Sequence, residues 1–156
     1  SKEKPGTITF ENEDYFIVSS IDFNIKLIKD YYSILWRSAE KDNLRDLLFA
    51  LTKIDNIDLR NKQGWNALIV ACFNGNYEIV KELINNNANP STTNFKGTTA
   101  LMYALDFYKR SLDSRIFKFL INSKADLKAK DFNNYSIQDY IYKKDCTELN
   151  IFLHNK

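Results

Sequence analysis

At 156 residues the chain fits one domain or one short array of repeats, and at 44% hydrophobic and 14% aromatic it has the material for a substantial core. That composition excludes bulk disorder, the formal net charge of +2 excludes a global field aimed at nucleic acid or an anionic membrane, and no apolar run is long enough to span a bilayer. Cys72 and Cys146 have neither metal-ligand nor disulfide-framework spacing, which points to a reducing compartment and a cytoplasmic protein, while a start at Ser1 without Met keeps open an exported mature protein of the bacterial periplasm whose leader has been removed.

In chain order, Thr7-Ile8-Thr9-Phe10 and Tyr15-Phe16-Ile17-Val18 are β-prone runs separated by Glu11-Asn12-Glu13-Asp14, a pattern that predicts a hairpin. A helical stretch follows from about Asp22, with Phe23, Ile25, Leu27 and Ile28 apolar. Residues 1–32 read as a capping extension over the open end of the helical units that begin at residue 33, or as an extension specific to a partner.

From residue 33 the pattern becomes pairs of short helices. Ser33-Ile34-Leu35 and Ala39 belong to a first helix, Asp42-Asn43 to a turn, and Leu44, Leu47, Leu48 and Leu51 to the apolar stripe of a second. In the next unit Gly64 permits a tight turn, and Asn66 is placed to cap a helix with Ala67, Leu68, Ala71 and Cys72 on one face. Asn74-Gly75-Asn76 breaks that helix, Ile79, Val80, Leu83 and Ile84 stripe its partner, and Asn87 ends it ahead of the Asn89-Pro90 connector. In the third unit Thr99 to Ala104 opens the first helix and Ile116, Phe117, Leu120 and Ile121 stripe the second. This unit is four residues longer, and the surplus is expected between its helices, near Tyr108 to Arg115. A last unit starts at Asp131, with Ile137, Tyr140, Ile141, Leu149 and Leu153 as its apolar positions, and reads as a C-terminal cap.

Gly64-Trp65-Asn66-Ala67-Leu68 and Gly97-Thr98-Thr99-Ala100-Leu101 lie 33 residues apart, as do Leu35 and Leu68. A period of this size marks stacked modules, each too small to bury its own apolar face. The chain holds 18 Asn and only 4 Gly, and Asn87 and Asn134 stand where the pattern calls for a left-handed residue, so the asparagines read as turn chemistry. The turn-plus-two-helices unit and its Thr99-Ala100-Leu101 helix start resemble the ankyrin repeat. The resemblance implies a mainly α solenoid of about four repeats, at residues 33–60, 61–93, 94–130 and 131–156, behind a small N-terminal extension read as a β-hairpin plus helix. The family's buried Thr and His network is mostly missing, since Trp36, Ile69, Met102 and Asp139 replace its His and only Thr99 keeps its Thr. Modest stability is the expected consequence, with a thermal midpoint below about 90 °C.

Catalysis finds little support in these residues. His154 is the single histidine, no phosphate loop or nucleophile motif is present, and no pair of carboxylates is singled out by spacing. Cys72, Cys146 and His154 lack the spacing of a metal site, and no cofactor is implied. The resemblance implies instead a contact surface made of hairpin tips and the exposed side of each first helix. Carried onto this sequence, it comprises Lys62, Gln63, Trp65, Phe95, Lys96, Phe132 and Tyr135 at the tips, with Phe73 and Phe107 on the helices. Rings at tips are either anchors for a partner or an intramolecular ladder, each resting on its neighbour's hairpin. The expected function is non-enzymatic binding of one protein partner by a monomer, with inhibition or immunity against a toxic effector enzyme as the specific form. The alternative is nucleic-acid binding by the basic C-terminal repeats, through Lys118, Lys124, Lys128, Lys130, Lys143 and Lys144.

Overall fold

The computed structural model describes residues 28–154; residues 1–27 and 155–156, and with them the expected strand pair and the expected helix start near Asp22, lie outside the described residues. Helix α1 runs through residues 28–41 and crosses residue 33, the expected start of the first repeat, without a break. It is followed by α2 (Leu44–Leu51), α3 (Ala67–Asn74), α4 (Tyr77–Asn85), α5 (Ala100–Ser111), α6 (Arg115–Asn122), α7 (Ile137–Lys143), a 3₁₀ turn at Thr147–Leu149 and α8 (Asn150–His154). Among the described residues the only β pairing is one bridge between Thr93 and Thr99.

Helices α2, α3, α5 and α7 start where short polar side chains take up their free N–H groups. Asn66 Oδ1 accepts from the Ile69 N–H at 3.0 Å, Thr99 Oγ1 from the Met102 N–H at 3.1 Å, and Asn43 Oδ1 from the Asp46 N–H at 3.0 Å. At α7 the bond is reciprocal, with Ser136 Oγ accepting from the Asp139 N–H and the Asp139 carboxylate accepting from the Ser136 N–H at 2.8 Å.

The chain reverses at left-handed residues that recur with the repeat. Between paired helices these are Asp42, Gly75, Leu112 and Asp145; at the hairpin tips, Gly64, Gly97 and Asn134; after second helices, Asn87 and Lys124. The asparagines at 87 and 134, with φ of 68° and 66°, do the work expected of them. Behind most of these residues the next N–H reaches back five residues, as from Asn43 to Ser38 O, Asn76 to Ala71 O, Ala88 to Leu83 O, Ala125 to Leu120 O and Cys146 to Ile141 O, at 2.9–3.0 Å. That is a Schellman closure, used after helices of both rows.

Leu112 is the exception among the helix ends, and it corrects the expectation for the longer third repeat. The surplus does not loop out between the helices but extends α5 to 12 residues, against 8 in α3. Leu112, at φ 61°, then stops the helix with the simpler bond from its N–H to Tyr108 O at 2.7 Å.

The helices stack in two rows. The first helices of each pair follow one another, α3 against α5 and α5 against α7, while α2, α4, α6 and α8 form the second row in the same order. Asn76 Nδ2 ties α1 to the row by donating to Ala39 O at 2.7 Å. Between the rows lies one continuous core, which includes Leu35, Leu47, Leu68, Ile79, Leu83, Leu101, Leu105, Phe117, Leu120 and Ile141. Cys72 belongs to this core, and burial pushes its thiol far above the usual cysteine range, so it acts as a small apolar residue. The stripe expected on α2 needs correction. Leu47 and Ala50 carry its burial, Leu51 is half-buried, and Leu44 and Leu48 are exposed. In the last unit Ile137, Ile141 and Leu149 are buried, while Tyr140 and Leu153 pack at its margin.

Candidate interaction face

Each hairpin is built around one side chain that the sequence repeats. Asn61 Oδ1 accepts from the N–H groups of Gln63 and Trp65, both at 3.0 Å. Asn94 Oδ1 does the same for Lys96 and Thr98 at 2.9 and 3.0 Å, and Asp131 Oδ1 for Asn133 and Tyr135 at 3.0 Å each. With the turn closed from below, its two tip residues stand outward: Lys62 and Gln63, Phe95 and Lys96, Phe132 and Asn133, all exposed. The last two tips are also joined, the Phe132 N–H donating to Lys96 O at 3.0 Å. The closing role of Asn61, Asn94 and Asp131 is a feature that turn composition alone did not single out, although their spacing matches the repeat.

Rings rest on the glycines of the preceding repeat. A Cβ added to Gly64 would stand 2.4 Å from Phe95 Cδ2, one on Gly75 2.1 Å from Phe107 Cζ, and one on Gly97 3.1 Å from Phe132 Cδ1. Phe95 and Phe132 are nonetheless 57% and 81% exposed. They are seated at one edge and open to solvent elsewhere.

Trp65 is placed differently. Its ring lies 5.3 Å from Phe73 and 4.9 Å from Tyr103, and Phe73 and Tyr103 stand edge to face at 6.0 Å. The cluster, half-buried at Trp65 and Tyr103 and exposed at Phe73, bridges the second hairpin, α3 and α5. Tyr103 is a member that sequence reasoning missed. It sits 33 residues after Val70, so the repeat offset alone marks it as an inner-face position. Asn94 Nδ2 donates to its hydroxyl at 2.9 Å. Burial raises its pKa, partly offset by that bond. Tyr140 is the counterpart in the last repeat, where burial and a hydrogen bond to the Asp131 carboxylate push its hydroxyl up to about 12.

Cations lie over several of these rings. The Arg60 guanidinium is 5.6 Å from the Phe95 ring centre and donates to Thr93 Oγ1 at 3.3 Å. Arg110, delivered by the extra turn of α5, is 4.8 Å from Phe73 and 5.8 Å from Phe107, and its Nη2 donates to Phe73 O at 2.6 Å. Lys143 Nζ is 3.8 Å from the Tyr135 ring centre, and Tyr135 in turn lies 5.6 Å from Tyr140. An open groove of about 640 Å³ runs between α1 and the second hairpin with α3, and both tryptophans of the chain, Trp36 and Trp65, line it together with Phe73. Of the residues expected at the contact surface, Trp65 and Phe73 share one cluster, Phe107 lies next to it under Arg110, and Lys62, Gln63, Phe95, Lys96 and Phe132 form the tip row. Tyr135 belongs to a separate pair in the last repeat.

Paired helices stacked in two rows, with a turn closed by Asn or Asp ahead of each pair, define a repeat solenoid whose hairpins and first helices share one face. A family model for ankyrin repeats (3 copies) matches residues 35–131, and the chain belongs to the ankyrin-repeat family. Ankyrin repeats are generally protein–protein interaction modules without enzymatic activity. No curated protein matches the sequence. Among the described residues no helix is long and apolar enough to cross a membrane.

Proposed function

We propose that the chain is a non-enzymatic binding module that holds one protein partner on its hairpin and inner-helix face and acts by covering part of that partner's surface, as an inhibitor or immunity protein does to a toxic effector. The observation that carries this reading is the exposure of Phe95 and Phe132, large rings fixed on a hydrogen-bonded frame instead of buried in it. Exposed aromatics of this kind are enriched at binding hot spots, and a frame set before docking loses little entropy when the partner arrives. The Trp65, Phe73 and Tyr103 cluster supplies a rigid floor beside them.

The test is Phe95→Ala with Phe132→Ala in the full chain. Retention of the partner that co-purifies from the native host is expected to fall at least about tenfold, since hot-spot truncations are worth 2 kcal/mol or more. The circular dichroism melt is expected to stay in place. Undiminished retention overturns the reading. Where the partner is a toxic enzyme, its activity with and without the wild-type chain reads the inhibitory form directly.

Nucleic-acid binding by the C-terminal repeats draws less support. Lys118 lies over Phe152 at 4.6 Å, Lys143 over Tyr135, and Lys144 pairs with Asp106 at 2.7 Å, which leaves Lys124, Lys128 and Lys130 as a sparse exposed set. A steep fall of binding with salt is the mark of that alternative.

A further inference from the structure

We propose that the partner meets this face with an acidic segment, its carboxylates bound by cations that the chain already holds among its aromatic rings; this inference rests on the reading of the face as a protein-binding surface. Arg60, Lys62, Lys96 and Arg110 are exposed, and among the described residues none of the four makes an ion pair. Of the carboxylates on the same face, Glu40 lines the groove and pairs loosely with Lys41 at 3.8 Å, and three others are committed elsewhere. Asp106 is held by Lys144, Asp139 closes the cap of α7, and Asp131 closes its hairpin. Lys130 and Lys143 stand apart from the four, because they act on Asp139, and Lys143 on Asp131 as well. The face therefore carries uncompensated positive charge at the second and third hairpins and at the end of α5.

Two of the four cations are also ordered in advance. Arg60 is fixed by Phe95 and Thr93, and Arg110 by Phe73, Phe107 and the carbonyl that ends α3. A guanidinium held this way has paid much of its rotamer entropy before binding and keeps free N–H groups that match a carboxylate's two oxygens. The arrangement favours an acidic polypeptide over a nucleic acid. A base seeking to stack on Phe95 or Phe73 must displace the arginine already there, whereas a carboxylate adds to the arginine where it stands. An apolar side chain of the same segment has the groove beside Trp36 and Trp65 to enter.

The experiment titrates the full chain at low and physiological salt, read by tryptophan fluorescence, since both tryptophans line the groove. The probes are a 20-residue peptide rich in Glu and Leu, the same peptide with Gln for every Glu, and a 20-nucleotide oligo-dT. The acidic peptide is expected to bind roughly tenfold or more tighter than its Gln counterpart and tighter than oligo-dT. Arg60→Gln with Arg110→Gln is expected to remove most of that preference. Lys62→Gln with Lys96→Gln, at tips whose side chains hold nothing in place, is the second variant in case loss of Arg110 weakens α3. Equal binding of the two peptides overturns the acidic preference and leaves the protein-binding face standing. Tighter binding of oligo-dT overturns it in favour of nucleic acid. No response to the acidic peptide at low salt, or a preference unmoved by both cation pairs, overturns it as well. The face itself is judged separately, by Phe95→Ala and Phe132→Ala against the native partner.

Discussion

The second repeat and the first are built from similar sequence and end up differently buried. In α3 all six residues from Ala67 to Cys72 are buried, whereas α2, with Leu, Phe and Ala at six of its eight positions, buries only Leu47 and Ala50. Leu44, Leu48 and Phe49 of α2 are 39%, 43% and 48% exposed. Row and neighbours both enter, since α2 stands in the second row, whose flanked member α4 buries only Ile79, Val80 and Leu83. Helices α3 and α4 are flanked by a repeat on each side, while among the described residues the first pair has a repeat on one side only. In a solenoid, burial is set by pairs of modules as much as by the apolar pattern of one.

The largest effect expected from this contrast is in the core. Leu83→Ala, fully buried in α4, is expected to destabilise the chain by about 2–5 kcal/mol, from lost transfer energy and the cavity left behind. Leu48→Ala, the same change on the exposed side of α2, is expected to cost no more than about 0.5 kcal/mol. Urea unfolding with a common slope measures both. Equal losses would break the comparison and place Leu48 in a buried contact.

A second contrast concerns two caps of the same kind. Asn66 is fully buried, and besides capping α3 it donates through Nδ2 to Thr92 Oγ1 at 2.6 Å. Asn43 caps α2 in the open and shares its amide with Asp46 at 2.9 Å. Asn66→Ala is expected to cost about 2 kcal/mol, because it strands a buried N–H and a buried hydroxyl, and Asn43→Ala about 0.5–1 kcal/mol. The same urea series checks the ratio, and a larger loss at Asn43 would reverse the ranking of the two repeats.

Much of this arrangement is legible in the sequence alone. The 33-residue offset locates the helix pairs, and Asn66, Thr99 and Ser136 stand where caps are needed. What escapes is settled by the neighbouring repeat or by a residue acting against type. Trp65 reads as a free tip, but Tyr103 of the next repeat draws it into a cluster. Leu44 and Leu48 read as a stripe, but a stripe is buried only where another surface meets it. The surplus of the third repeat reads as lying between the helices although Lys109 and Arg110 favour helix, and its stop falls on a leucine, a residue type that normally avoids left-handed backbone. Asn61, Asn94 and Asp131 are visible at repeat spacing, yet their shared task emerges only when each is seen to accept two N–H groups.

Leu112 offers the next smaller test. It holds φ 61° with its side chain 76% exposed, so the strain has no packing to offset it, whereas Gly75 holds the equivalent turn in the second repeat without a Cβ. Leu112→Gly is expected to stabilise the chain by about 0.5–1 kcal/mol, the left-handed penalty less the entropy that glycine gains in the unfolded chain. Gly75→Ala is expected to do the opposite, and more strongly, because Phe107 occupies the space a Cβ needs. A rise in thermal midpoint of a few degrees for the first and a fall for the second check the pair.

The smallest expected effect separates the last hairpin from the two before it. Asn61 and Asn94 close their turns with groups that do not titrate, and Asp131 closes its own with a carboxylate. Burial pushes that carboxylate's pKa up, but the Tyr140 hydroxyl, the N–H groups of Tyr135 and Asn133 and the charge of Lys143 outweigh it and hold the group below the ordinary aspartate range. A carboxyl whose folded value is depressed contributes stability that is present above its unfolded value, about 3.9, and lost as pH falls through the folded value. The last hairpin is therefore expected to loosen in acid while the second and third hold. Amide protection at Asn133 and Tyr135 should drop as pH falls below about 3.9, relative to that at Gln63 and Trp65. Asp131→Asn is expected to remove the drop, since the carboxamide oxygen still accepts both N–H groups and its Nδ2 can donate to the Tyr140 hydroxyl, as Asn94 Nδ2 does to Tyr103. Asn94→Asp is expected to install the same acid sensitivity in the third repeat, beside Tyr103, which stands to Asn94 as Tyr140 stands to Asp131. Equal protection of all three hairpins at a pH where Asp131 is observed to be protonated would show that it closes its turn as well protonated as ionised.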